Sequence, residues 1–178
     1  MKIPIAKLPI GLHELEFEGP ASAYKLNSAV FSTPVIGKIQ VDKGEAQIYV
    51  HALAKTNGLF SCDRCLREFD QEISGELRLC FEVVGTGGRP SFTGEEGDGE
   101  AGLRTYRTGE AFIDISDDIR DTLVISVPMK NVCSPECQGI CPGCGEDLKE
   151  SACKCGEKPP DPRWDALKQL QDKTPEDG

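Results

Sequence analysis

Histidine is almost missing from this chain, long apolar runs are absent, and positive charge is in deficit. Its 178 residues include two histidines, His13 and His51, each alone in a strand-like stretch. A catalytic zinc site usually combines three protein ligands, commonly including histidine, with an open position for water. Neither histidine belongs to such a pattern, and both read as ordinary sheet residues. No window approaches the ~18 apolar residues of a membrane span. The stretch from Met1 to Lys7 lacks the apolar run of a secretory leader, so the sequence points to a cytoplasmic protein without a membrane partner. Asp and Glu number 30 against 20 Lys and Arg, a formal net charge of -10. Non-specific nucleic-acid binding depends on cations that release counterions from phosphates, so RNA contact would need a local basic patch. The acidity suits a partner with a basic surface, a class that includes ribosomal proteins.

Catalytic signatures are missing as well. There is no Gly-x-Ser-x-Gly, no phosphate-binding glycine loop, and no His-x-Glu ahead of a Pro-Cys-x-x-Cys. The carboxylates of Asp114, Asp117, Asp118 and Asp121 read as a helix cap and an exposed helix face. The residues alone indicate a non-enzyme with no small-molecule substrate.

What is present is alternation. Leu15 and Phe17 alternate with Glu14, Glu16 and Glu18. Val35, Ile39 and Val41 lead into the turn Asp42-Lys43-Gly44, after which Ile48, Val50, Ala52 and Ala54 share a face, a hairpin pattern. The cleanest strand runs through Ile73, Gly75, Leu77, Leu79, Phe81 and Val83, with Cys80 on its other face as a small buried residue. From 85 to 109 Gly, Ser, Thr and acidic residues dominate, too polar to offset chain entropy, so a disordered loop is expected there. Ile113-Asp114-Ile115 then precedes a helix with Ser116 or Asp117 as its cap, Ile119, Leu123 and Val127 on one stripe, and Pro128 as its stop. A second helix is expected after Asp161-Pro162-Arg163, with Trp164, Leu167 and Leu170 as its apolar stripe. The fold class is therefore α+β: a mainly antiparallel sheet with short helices and a small C-terminal zinc-binding module. The expected boundaries are a β-rich domain over 1–130, a cysteine-rich module with a helix over 131–173, and a frayed tail over 174–178.

Nine cysteines in a reducing compartment call for metal or redox chemistry instead of structural disulfides. Apart from Cys80 they fall into close pairs: Cys62 with Cys65, Cys133 with Cys137, Cys141 with Cys144, and Cys153 with Cys155. A two-residue gap lets both sulfurs of a pair reach one ion from a tight turn, and Zn2+ favours four such ligands. In Cys141-Pro142-Gly143-Cys144-Gly145 the proline and glycines let the turn aim backbone N–H groups at the thiolates. A thiol oxidoreductase would place Cys-x-x-Cys at a helix N-terminus; Cys62-Asp63-Arg64-Cys65 fits that order loosely, but four pairs favour metal. Two partitions are open. One assigns an ion to Cys141, Cys144, Cys153 and Cys155 and another to Cys62, Cys65, Cys133 and Cys137, stapling the sheet to the cysteine-rich block. The other uses a single ion, with Cys62, Cys65 and two C-terminal cysteines.

Several of these segments together resemble the YceD family of large ribosomal RNA subunit accumulation proteins. They are Cys62-Asp63-Arg64-Cys65-Leu66, Ile113-Asp114-Ile115 ahead of a helix ending at Val127-Pro128, Cys133 through Cys144, and Asp161-Pro162-Arg163-Trp164. The segment Cys137-Gln138-Gly139-Ile140-Cys141-Pro142-Gly143-Cys144-Gly145-Glu146-Asp147-Leu148 is similar to a family motif, with Gln138, Ile140 and Asp147 in place of the usual Lys, Leu and Asn. The resemblance implies a non-enzymatic role in the synthesis, processing or stability of large-subunit ribosomal RNA. Its partners would be a ribosomal precursor particle, that RNA itself, or a basic ribosomal protein.

Overall fold

The computed structural model of the chain describes residues 1–85, 88, 102–149, 153, 155, 156 and 163. Its contacts divide the chain into two units, Met1–Asp63 with Arg67–Cys133, and Arg64–Leu66 with Ser134–Gly178.

The first unit is mostly sheet. Strands β1 (Lys2–Ile3), β2 (Gly11–Gly19), β3 (Val35–Lys43), β4 (Gln47–Ser61), β5 (Glu68–Val84), β6 (Gly102–Arg107) and β7 (Ile113–Asp114) precede helix α1 (Ser116–Ile125). Single 3-10 turns at Ile5–Lys7 and Ala21–Tyr24 flank β2. β2 to β6 form one five-stranded sheet in sequence order, and β1 pairs with β7. Alternation decides which face is buried, because successive side chains of a strand point to opposite sides. In β4, Ile48, Val50, Ala52 and Ala54 are buried while Tyr49 and Leu53 stay exposed. The antiparallel register sets Val41 beside Val50 and Ile39 beside Ala52, so the apolar residues of neighbouring strands stack on one face.

Helix α1 packs against β5 and β4 on that face. Ile119 and Leu123, one turn apart, are 1% and 0% exposed, and Val127 adds a partly buried contact. Burying one such branched aliphatic side chain contributes roughly 1.5–3 kcal/mol. Close approach of the helix depends on Gly75, where a Cβ would stand 2.5 Å from Thr122 Cγ2 and 2.8 Å from Ser126 Oγ. The helix starts differently from expectation. Ile115 holds the cap position, and the carboxylate of Asp114 accepts the Ser116 N–H at 3.0 Å. The capping oxygen comes from one position upstream because Ile115 is fully buried in the core.

The loop expected over 85–109 is also corrected: 102–107 form β6, which runs parallel to β5 with Val84 beside Arg107. Composition rates this segment too polar to order. It is held by ladder bonds, by buried Tyr106, whose hydroxyl donates to the Glu110 carbonyl at 2.6 Å, and by the Arg104 guanidinium on the Asp118 carboxylate. Residues 86, 87 and 89–101 of that loop lie outside the described residues, as do the stripe of Trp164, Leu167 and Leu170 and the 174–178 tail. Gly75→Ala should lower stability by about 1–3 kcal/mol, the usual cost of overpacking a tight contact, read as a lower urea midpoint at unchanged slope.

Candidate metal centre

The connection from β4 to β5 carries Cys62-Asp63-Arg64-Cys65. The two strands pair without a break from Gln47 beside Glu82 to Ser61 beside Glu68, which delivers this turn at the end of a long, stiff hairpin. Past the ladder, the Cys62 N–H donates to the Arg67 carbonyl at 2.8 Å, and Leu66 takes a left-handed φ of 60° that turns the chain back. Cys62 and Cys65 are 0% and 5% exposed.

Within the first unit, reciprocal bonds bring Cys133 to Cys62. The Asp63 N–H donates to the Asn131 carbonyl at 2.8 Å, and the Asn131 N–H donates to Asp63 Oδ2 at 2.6 Å. The Cys133 N–H then reaches Cys62 Sγ at 3.4 Å, a bond that spreads the charge of a thiolate. Within the second unit, Arg64 organises Cys137. Its guanidinium donates to the Cys137 carbonyl at 2.7 Å and the Pro135 carbonyl at 3.4 Å, and its own carbonyl accepts the Ile140 N–H at 3.1 Å. Gly139 has φ +80°, and a Cβ there would stand 2.9 Å from the Arg64 carbonyl oxygen. The sulfurs of Cys62, Cys65, Cys133 and Cys137 all lie within 4.8 Å of one another.

A second set closes inside the second unit. Ile140 and Asp147 form an isolated antiparallel bridge, with the Cys141 N–H donating to the Glu146 carbonyl at 2.8 Å and the Gly145 N–H returning to the Cys141 carbonyl at 2.8 Å. This tight turn aims the Gly143 N–H at Cys141 Sγ, 3.3 Å away. The Cys155 N–H lies 3.2 Å from Cys153 Sγ. Cys153 Sγ is 3.1 Å from Cys141 Sγ and 3.7 Å from Cys144 Sγ. Cys141, Cys144, Cys153 and Cys155 again keep their sulfurs within 4.8 Å of one another. The Cys153 thiol, then the backbone N–H groups of Cys144 and Gly143, pull the Cys141 thiol down to about 6. The Cys144 and Cys153 thiols push Cys155 up to about 12. Sulfurs this crowded cannot all ionise unless a cation offsets their mutual repulsion, so such a set releases protons when metal arrives. Four thiolates around one tetrahedral ion with bonds of ~2.3 Å stand about 3.8 Å apart, a spacing that both sets accommodate. Both could therefore hold a metal ion.

The structure thus gathers all eight paired cysteines into two groups of four, the sets named in the two-ion partition. Cys80 joins neither; it is buried on β5 beside Tyr49. Both histidines are engaged elsewhere. His13 Nε2 donates to the Pro9 carbonyl at 2.8 Å, and His51 Nε2 lies 2.9 Å from Glu76 Oε1. Arg64 and the Asp63–Asn131 pair carried no signal in the sequence, since their partners lie some 70 positions away. Gly139 did stand in a recognisable place, between Gln138 and Ile140 in the run from Cys137 to Cys141.

Fold and site together define a sheet protein whose cysteine sets, closed by backbone N–H groups, are suited to holding metal. A family model described as large ribosomal RNA subunit accumulation protein YceD matches residues 51–171, and the chain belongs to that family. It is 25% identical over 143 residues to a large ribosomal RNA subunit accumulation protein YCED homolog 1, chloroplastic, from Zea mays, covering 69% of this chain and 49% of that protein. A protein of the same name from Arabidopsis thaliana is 24% identical over 159 residues, covering 79% of this chain and 49% of that protein. The chain spans about half the length of these curated relatives. No solved structure matches. No helix among the described residues is long and apolar enough to cross a membrane.

Elemental analysis should find two metal ions per chain, and one after the double substitution Cys62→Ser, Cys65→Ser. Gly139→Ala forces an L side chain into left-handed backbone, a strain of roughly 1–2 kcal/mol. It should shift the midpoint of a chelator titration toward earlier metal loss.

Proposed function

We propose that this protein is a non-enzymatic ribosome-biogenesis factor supporting the synthesis, processing or stability of large-subunit ribosomal RNA, with Zn2+ as a structural ion at both cysteine sets. The observation that carries this is the family match, which spans 51–171 and so contains every paired cysteine. The names of the relatives refer to accumulation of that RNA. All-sulfur coordination suits Zn2+, and four protein ligands leave no open position at which water could be activated. Cys62, Cys65, Cys133 and Cys137 would hold one ion, and Cys141, Cys144, Cys153 and Cys155 the other. Structural zinc can supply ~10 kcal/mol or more of apparent folding free energy. Replacing Cys62 or Cys65 should therefore destabilise the fold around the first set while the second set keeps its ion, whereas a zinc- or thiol-dependent enzyme would keep its fold and lose activity.

A second role is favoured by the net charge of -10: an acidic adaptor for a basic ribosomal protein or assembly factor, with the RNA effect indirect. Pull-down with and without nuclease separates the two, since protein contacts survive digestion. Depletion of the protein should reduce mature large-subunit RNA and change its precursors, measured by gel and hybridisation. Unchanged levels of both would end the proposal.

A further inference from the structure

Helix α1 covers only one face of the five-stranded sheet. On the opposite face of β2–β5 most of the described side chains are exposed, and several apolar ones lie open, among them Ile36 at 50% and Leu53 at 47% exposure. Both line a shallow depression of about 650 Å³ whose walls include Glu16, Glu18, Lys38 and Lys55. The register explains the arrangement. Glu18 stands beside Ile36 and Glu16 beside Lys38, while Lys38 stands beside Leu53. The apolar pair thus occupies the two middle strands, with carboxylates on β2 to one side and on β5 to the other.

Charge on this face is one-sided. Three exposed carboxylates on β2, one on β3 and four on β5 make eight, against three side chains of Lys or Arg. Each of those cations is already engaged: Lys38 with Glu16 at 3.2 Å, Lys55 with Glu72 at 3.1 Å, and Arg78 with Glu76 at 2.5 Å. Phosphate would be repelled here, and a second copy would bring the same excess of negative charge.

We propose, building on the adaptor role above, that this sheet face docks a Lys/Arg-rich protein segment that seats one aliphatic side chain on Ile36 and Leu53. Adjacent strands lie ~4.8 Å apart, so the carboxylates of β2 and β5 flank the depression at about 7 Å to either side. That is within reach of lysine or arginine side chains beside the apolar anchor. Apolar burial supplies the central contact, and complementary charge steers the approach and fixes the orientation.

The test is an amide-resolved NMR titration of the full-length, metal-loaded chain with a synthetic peptide of lysines and arginines around a central leucine. A leucine-to-serine version of the peptide and a single-stranded RNA serve as comparison ligands. Shifts should concentrate on β2–β5. Affinity should fall about tenfold, the loss of a central contact, with the serine peptide or with the double variant Ile36→Ser, Leu53→Ser. Metal content and spectral dispersion of the variant report that its fold is kept. Tight binding that maps elsewhere, or is unmoved by the double variant, overturns the docking face and leaves the adaptor role standing. No binding of the basic peptide anywhere removes the adaptor role itself. RNA shifts on the same face overturn the choice of a protein partner.

Discussion

The pairing of β4 with β5 is the constraint on which the rest of the first unit depends. Its uninterrupted register, from Gln47 beside Glu82 to Ser61 beside Glu68, fixes which side chains meet helix α1 and which meet solvent. A slip of one residue would turn every side chain of the slipped strand to the wrong face, moving Ile73 outward and placing Glu72 against the helix. The same ladder sets Gly75 where α1 must approach and carries Cys62 at its far end. Core, helix dock and cysteine turn are three readouts of one alignment.

At the cysteine sets, local backbone hydrogen bonds prepare each turn for negative charge while thiol–thiol crowding resists it. The Gly143 N–H on Cys141 Sγ and the Cys155 N–H on Cys153 Sγ favour thiolates. The Cys144 and Cys153 thiols beside Cys155 oppose another charge there. A divalent ion would resolve the conflict, because it would bind the deprotonated form of all four thiols together.

Much of this was legible in the sequence, for physical reasons that also mark where legibility stops. Period-two alternation in Ile48 to Ala54 and in Ile73 to Val83 signals buried faces, since the pattern is imposed by local geometry and burial. The cysteine pairs were visible because sulfurs able to share one ion from a tight turn must be closely spaced in the chain. β6 was hidden because its order comes from a ladder with β5 and an ion pair to Asp118, both remote in sequence. The helix cap was misplaced by a residue because tertiary burial of Ile115 outweighed the local preference for Ser116. Arg64 gave no signal of its own, since nothing near it in sequence foretells the Cys137 carbonyl it binds.

The two cysteine sets differ in exposure. Three members of the first are buried and Cys133 is half-buried, while Cys144 and Cys155 of the second face solvent. An incoming thiol or chelator can attack only a sulfur–metal bond it can reach, so with ions at both sets this contrast would separate two exchange rates within one chain. An ion at the first set would leave more slowly, since three of its four sulfurs become reachable when the structure opens locally. An ion at the second set would begin to exchange by stepwise ligand replacement at Cys144 and Cys155, and its occupancy would follow the free metal concentration around the protein more closely.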